Sequence, residues 1–431
     1  MHRGCSRQTE FEKGLGLVNS RWLLISTVWP EPQSSAAGLR DLNLIEGLGQ
    51  AGFEVILASA ADNPKGYEFC CALESQKPYL KCLGIRLNHS SFDEELKKIA
   101  PHAVIYDRLV MEEQYGPRVR AVCPDALQIL DTQDLHFLRL SREQGSRSGA
   151  SALPGTWDES LVIRELSSIH RVDLTWVLSS FEKKLLESHF GVQPQRLALS
   201  RFAYPKQRPA SFERGFEERR GFSFVGNYRH APNLDAFRYL RDELWAQIRA
   251  RLPRAEIELW GAYPTQEVFE AHDPRRGFLV RGVADTMDQV LGSARVSLAP
   301  VRFGAGIKGK ISDSWHFGVP VVSTPLGFEG MVQDGSLPGG ERLSAEGLAE
   351  YAVRLDQDPA AWSEARDWGL RQLAQSFSQR KFESELSGGI EQARENFYKR
   401  DQDWIRRCFT HHSLETPRFF GKWLELKESK R

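Results

Sequence analysis

The chain has no long apolar run. Nothing in its 431 residues approaches the roughly 18–20 consecutive apolar residues that a membrane-crossing helix needs, so no transmembrane segment is expected. The N-terminus reads Met-His-Arg-Gly-Cys and continues polar, without the apolar centre of a secretory signal, so none is expected there. Net charge is also missing. The 57 Lys and Arg balance 57 Asp and Glu, which removes any global pull toward nucleic acid or anionic lipid. Cysteine is sparse: Cys5, Cys70, Cys71, Cys82, Cys123 and Cys408 form no C-x-x-C pair. Cys408 and His411 have ligand-like spacing, but no second pair completes a zinc site. Scattered thiols of this kind suggest a reducing compartment, and a cytoplasmic protein without a nucleic-acid partner is the expectation. A G-x-G-x-x-G fingerprint is absent from the first strand and turn, which argues against a dehydrogenase.

What is present is the alternation of an α/β protein. Hydrophobic residues make up 41% of the chain, and its length fits two to three domains. Arg21–Thr27 reads as an apolar strand. A loop rich in small residues follows, then an amphipathic helix over Leu39–Ala51, and Phe53–Ala58 is the next strand. Further strands are expected at Gly84–Leu87, Ala103–Tyr106, Leu127–Leu130, Leu174–Leu178 and Arg196–Leu199, with helices between them. Alternation of this kind implies a parallel sheet. The Gly/Ser-rich stretch Ser141–Thr156 reads as a loop inside this first domain, and Phe202–Gly221 as the linker. The pattern then restarts, with strands at Phe222–Val225, Ile257–Trp260, Phe278–Arg281, Val296–Ala299 and Val319–Ser323. Helices are expected at Leu234–Arg251 and Ala284–Gly292, and only helices beyond Ser344. The division expected is a loose lead-in over 1–18, a first domain over 19–205, a second over 206–385 and a helical segment over 386–431 that returns to the first domain. Two doubly wound Rossmann-like domains in tandem place a cleft between the carboxyl ends of their sheets.

The densest signal lies at 296–331. A strand enters a turn built on Gly304 and Gly306, Lys308 and Lys310 follow, and a helix runs from there to Gly318. A glycine loop opening a helix brings N–H groups and a helix N-terminus to one anion, and nearby cations strengthen it for phosphate. An ordinary strand–helix crossover is the alternative. Gly304-x4-Gly309-Lys310 imitates a Walker A loop but continues with Ile311 where Ser or Thr is needed. Asp401-Gln402-Asp403 imitates a metal-binding D-x-D but sits in a charged helical tail with no strand before it. No metal ligand set is expected.

Three stretches carry a family resemblance: F-S-F-V-G-N-Y-R-H-A-P-N-L-D-A-F (Phe222–Phe237), A-P-V-R-F-G-A-G-I-K-G-K-I-S-D-S-W-H-F-G-V-P-V-V-S-T (Ala299–Thr324) and the following T-P-L-G-F-E-G-M. Together they resemble the retaining glycosyltransferases of the GT-B fold, the family 4-like group. L-Q-I-L-D-T-Q-D-L-H-F-L-R (Leu127–Arg139) is a weaker match in the first domain. The resemblance implies a nucleoside-diphosphate sugar as donor, no further cofactor and no metal. The acceptor would be a carbohydrate, lipid-linked or other hydroxyl compound. It assigns the donor diphosphate to Arg302, Gly304, Ala305, Gly306, Lys308 and Lys310. It assigns the nucleoside and sugar to Gly226, Asn227, Asp313 and Glu329. Glu329 is read either as a hydroxyl ligand or as a helix cap. Asp134 and His136 are the catalytic candidates, and Ser35, Gly38 and Arg40 form the acceptor-side loop.

The departures are specific. The family's E-x7-E pair falls on Ala305 and Asp313, so its first acid is absent. Asn227 stands where relatives carry Arg, and Gln133 stands before Asp134 where relatives often carry His. His136 is read either as a substitute for that His or as a loop histidine. Arg139 and Arg142 are read either as an acceptor-facing patch or as a solvated helix face. Arg418–Trp423 (R-F-F-G-K-W) is read either as a packed terminal helix or as a peripheral contact with the inner membrane face. The expectation is sugar transfer. A catalytically degenerate nucleotide-sugar-binding scaffold and a sugar-nucleotide epimerase are the alternatives.

Overall fold

The structure, a computed structural model of the chain, describes residues 20–30, 36–87, 89–148, 157–332, 337–338, 340 and 344–411. Ser35 and the segment Arg418–Trp423 lie outside the described residues.

The first domain is built on seven parallel strands: β1 (Arg21–Ser26), β2 (Glu54–Ser59), β3 (Leu80–Gly84), β4 (Ala103–Asp107), β5 (Leu127–Asp131), β6 (Leu174–Val177) and β7 (Leu197–Leu199), in the order β3-β2-β1-β4-β5-β6-β7. Helices α1 (Ala36–Gln50), α2 (Pro64–Gln76), α3 (Ser91–Ile99), α4 (Arg108–Val122), α5 (His136–Ser148), α6 (Glu159–Arg171) and α7 (Ser180–Ser188) join them. β1, β2, β4 and β5 are almost wholly buried, as strands covered on both faces by helices must be. The expected strand at Gly84–Leu87 is displaced: β3 runs over Leu80–Gly84. It pairs with Val55–Ser59, and its partner ends at Ser59, so the chain leaves the sheet at Gly84.

The second domain holds five parallel strands, β8 (Arg220–Val225), β9 (Ile257–Trp260), β10 (Phe278–Gly282), β11 (Ala294–Ala299) and β12 (Val321–Ser323), in the order β10-β9-β8-β11-β12. After β8 comes α8 (Ala231–Tyr239), which runs through a π-turn at Leu240–Leu244 into α9 (Trp245–Arg251). Next come α10 (Gln266–Glu270), α11 (Met287–Leu291), α12 (Gly309–His316), α13 (Pro325–Phe328), α14 (Ala345–Gln357) and α15 (Pro359–Ser376). Arg219 staples the entry to this domain. It is fully buried and donates to the carbonyls of Ser211, Arg214, Leu291, Ala294 and Phe317. Burial pushes its guanidinium down to about 10.

The chain crosses between domains twice, and the two crossings run side by side. Tyr204 N–H donates to Phe377 O at 3.0 Å, and Tyr204 bridges Ser378. Beyond this point α16 (Gln379–Tyr398) lays Phe382, Leu386, Ile390 and Ala393 into the first-domain core beside Trp22, Leu44 and Trp176. The return therefore begins at 379, not at the expected 386. Helix α17 (Trp404–Thr410) closes the described chain. Asp403 caps that helix and pairs with Arg196, so the D-x-D look-alike is a structural cap.

In each sheet the strand order reverses between its first and fourth strands, β1/β4 and β8/β11. The carboxyl ends at such a reversal diverge and leave a crevice. Arg40 was expected at the acceptor side of that crevice, but it is fully buried on α1. It donates to both oxygens of Asp131 at 3.2 and 3.0 Å, and to Ser200 Oγ and Arg201 O at 2.9 and 3.0 Å. It fastens α1 to the ends of β5 and β7. Truncating one partner of such a pair leaves an uncompensated buried charge. Arg40→Ala is expected to cost about 3–5 kcal/mol of stability, read by chemical denaturation; a loss below about 1 kcal/mol would contradict the assignment.

Candidate active site

The crevice is a cavity of about 800 Å³ lined by both domains. On the second-domain wall, β8 ends at Val225 and the chain turns through Gly226 and Asn227 before α8. Both turn residues line the cleft. Asn227 O accepts from Asn233 Nδ2 at 2.9 Å, which closes this loop on itself. β11 ends at Ala299 and leads through the glycine loop into α12. Gly304 has φ 142° and Gly306 φ 66°, conformations that side-chain-bearing residues rarely adopt. The helix stops because Gly318, at φ 68°, turns the chain out of it.

Gly304, Ala305, Gly306, Lys308, Lys310 and Asp313 all line the cleft, so the structure brings together most of the residues expected to hold the diphosphate and nucleoside. Lys310 Nζ donates to Asn233 Oδ1 at 2.7 Å and lies 5.2 Å from the centre of the Phe224 ring. Burial pushes it down to about 7. Lys308 turns back on the loop and donates to Gly306 O at 2.9 Å. Burial lowers it too, against the pull of Glu329 and Glu182. Asp313 accepts from Tyr204 Oη at 2.5 Å and is raised by burial to about 6.

Two expected ligands are elsewhere. Arg302 points out of the cleft, its side chain 38% exposed. It pairs with Asp235 through Nε and Nη2 at 2.9 and 2.5 Å, and it covers the Tyr239 ring. In this structure a carboxylate on α8 takes its fork, and Arg302 stands apart from the residues gathered at the glycine loop. Glu329 stands at the C-terminal cap of α13 and is not among the residues that line the cleft. Both of its oxygens are taken by Arg142 of α5 at 2.7 and 2.9 Å.

On the first-domain wall Asp134 lines the cleft. It accepts from Arg139 Nε at 2.7 Å and lies 3.5 Å from His136 Nε2. Burial pushes its carboxyl up, but Arg139, His136 and Arg108 together hold it below the usual range, so it is ionised. His136 stands behind Asp134 and is not part of the cleft wall. Its backbone N–H is taken by the buried Glu165 at 3.1 Å. Burial lowers its imidazole, which is therefore neutral near pH 7. Gly38 is buried in the first turn of α1; its neighbours Ala37 and Leu39 reach the cleft.

Two cleft residues, Arg108 and His230, escaped the sequence reading. Arg108 and Gln133 line the cleft with φ of 68° and 60°, left-handed conformations that cost energy in a non-glycine residue. Arg108 is held by Thr27 and Asp107 at the end of β4. His230 lines the opposite wall, pushed by burial down to about 4 and therefore neutral. The available signals were the strand-end position of Arg108 and the place of His230 in the loop after β8.

The comparisons with known proteins agree with this geometry. Residues 219–365 match the family model described as Glycosyl transferases group 1. No curated protein matches the chain. A glycosyltransferase from Rickettsia africae ESF-5 is similar in structure, with a TM-score of 0.60 at 10% identity over 88% of this chain and 100% of that one. Anabaena Alr3699/HepE, in complex with UDP and glucose, gives 0.63 at 12% identity, with 86% and 99% coverage. S. aureus TarM, in complex with UDP, gives 0.67 at 8% identity with the same coverage. The match to the glycosyl transferases of group 1 lies in the second domain, and the two facing Rossmann-like domains share the GT-B fold of these structures.

Proposed function

We propose that the protein moves a sugar from a nucleoside-diphosphate sugar to an acceptor hydroxyl. The observation that carries this reading is the composition of the two cleft walls. One presents Lys310 and a glycine loop opening a helix, and the other presents an ionised Asp134. As the bond from the anomeric carbon to the phosphate oxygen breaks, negative charge gathers on the leaving diphosphate. Loop N–H groups, the positive end of α12 and Lys310 oppose that charge. Asp134 receives the acceptor proton, and Arg139 holds its carboxylate in place. In this reading the departing charge is stabilised by the chain itself, without metal. Retention at the anomeric carbon is the outcome that the family resemblance implies. Asp313 is the candidate for a ribose hydroxyl, and it sits near the lysine that meets the phosphate.

HepE binds UDP-glucose and TarM binds UDP, so UDP-sugars are the first donors to test. WaaG, a further neighbour in fold, takes part in lipopolysaccharide biosynthesis, and a glycolipid or polysaccharide acceptor is proposed on that analogy. No helix among the described residues is long and apolar enough to cross a membrane. A cytoplasmic site, with an acceptor presented at the inner membrane face, is the corresponding proposal.

The function is tested by incubating purified protein with radiolabelled UDP-sugars and candidate acceptors; product that forms only with acceptor supports transfer. Isomerised donor without acceptor would indicate an epimerase, and binding without turnover a degenerate scaffold. Lys310→Ala should weaken UDP binding by about 1.5–3 kcal/mol, the loss of one charge-assisted contact. Unchanged affinity in the folded variant removes Lys310 from the site. Asp134→Asn should lower turnover by about 10²-fold or more while leaving UDP affinity intact. A variant of near wild-type turnover would assign Asp134 to structure alone.

Binding should also depend on pH. In the free protein Lys310 loses its proton near pH 7, whereas a bound diphosphate favours the ammonium. The complex therefore takes up a proton, and affinity falls as pH rises above about 7. Asp313, at about 6, is already ionised in that range. Calorimetry near pH 8 in two buffers of different ionisation enthalpy should register the uptake; equal heats in both would exclude it.

A further inference from the structure

The glycine loop of the second domain is held at both ends by side chains of the first. Arg142, on α5, donates from Nη1 to Gly304 O at 2.8 Å while its guanidinium grips Glu329. Glu182, on α7, accepts Gly306 N–H at 2.7 Å through Oε1, and the same oxygen accepts Leu135 N–H at 3.2 Å. Glu182 is fully buried.

Its position makes the contact unusual. Ser179 caps α7 by accepting Glu182 N–H, and a glutamate three residues after a serine cap ordinarily reaches back to the cap's own N–H. Here it reaches instead across the domain boundary. The fit is tight on the same line of contact. A Cβ on Gly306 would lie 2.8 Å from Gln133 O and 2.9 Å from Asp134 Cβ, and one on Gly330 would lie 2.1 Å from Ser179 Oγ. Burying a carboxylate for two N–H bonds carries a desolvation cost, and burial raises Glu182 to about 7. Lys308, donating to the Gly306 carbonyl, holds the next peptide of the same loop.

We propose that Arg142 and Glu182 are positioning residues for the donor diphosphate, which hold Gly304–Gly306 in its anion-binding shape only when the two domains are docked. The proposal rests on the donor reading given above. Donor affinity and domain docking are then linked: the second domain alone has the loop residues but not its supports.

The test is calorimetric titration of UDP into the full chain and its variants, with melting temperatures measured alongside. Glu182→Ala and Arg142→Ala should each weaken UDP about tenfold or more, the effect of one lost hydrogen bond to a charged group. Glu182→Gln should stay within about threefold of wild type, because its amide oxygen can accept both N–H groups. If the alanine variants melt earlier but bind UDP as wild type does, the side chains only stabilise the interface and the proposal fails. If Glu182→Gln is weakened as much as Glu182→Ala, the carboxylate acts through charge and the hydrogen-bonded clamp is wrong. Should Glu182→Ala not fold, Arg142→Ala applies the same criterion at Gly304. If the wild type binds none of UDP, GDP and ADP, the donor reading falls and the clamp falls with it. Wild-type binding that the variants leave unchanged overturns the clamp alone.

Discussion

There is no room for a side chain at Gly306, and much of the site follows from that restriction. The residue stands at φ 66° where the second domain meets the backbone of Gln133 and Asp134. Because the peptide comes so close, a first-domain carboxylate reaches its N–H, and Asp134 shares one cleft with Lys310. A larger residue would strain the backbone and also push the walls apart. Distance between the two walls matters because the proposed transfer brings a donor on one wall to an acceptor on the other.

The sheets supply the frame on which this contact stands. Each reverses strand order between its first and fourth strands, so each opens a crevice at its carboxyl edge. The paired crossings at Tyr204 and Phe377–Ser378, together with α16 on the first-domain core, bring the two edges face to face. Trp315, Trp368 and Phe328 fill the space beneath α12 together with Leu178 and Phe202 from the first domain and linker. The helix that presents Lys310 therefore rests on a shared apolar floor. Buried titratable groups gather just above it, which is where desolvation can tune Lys310, Asp313 and Glu182 toward neutral pH.

The strands and the glycine loop were legible in the sequence because they are local. Ile257–Trp260 has the bounds its pattern predicts, and Gly304 and Gly306 announce a turn that only glycine makes easily. The failures concern where side chains point. Arg40 was read as part of the acceptor-side loop, Arg302 as a phosphate ligand, and Glu329 as a hydroxyl ligand or a helix cap, because charged residues near a loop commonly serve a site. Each is claimed by an opposite charge 67 to 187 residues away in sequence: Asp235 for Arg302, Asp131 for Arg40 and Arg142 for Glu329. Spacing carries no information about such a partner. Glu182 was hidden for a related reason, since S-x-x-E at the start of a helix reads as a complete local cap. The domain boundary near 386 missed the return at Gln379 because α15 and α16 are both amphipathic helices, and periodicity cannot say which core a helix covers.

A crystal structure of the protein with UDP tests the central claim most directly. The account predicts the diphosphate at the N-terminal end of α12, with Lys310 Nζ drawn from Asn233 onto a phosphate oxygen and the Gly304–Gly306 backbone still held by Arg142 and Glu182. A nucleotide bound away from this loop, or a diphosphate there that leaves Lys310 on Asn233, would contradict it.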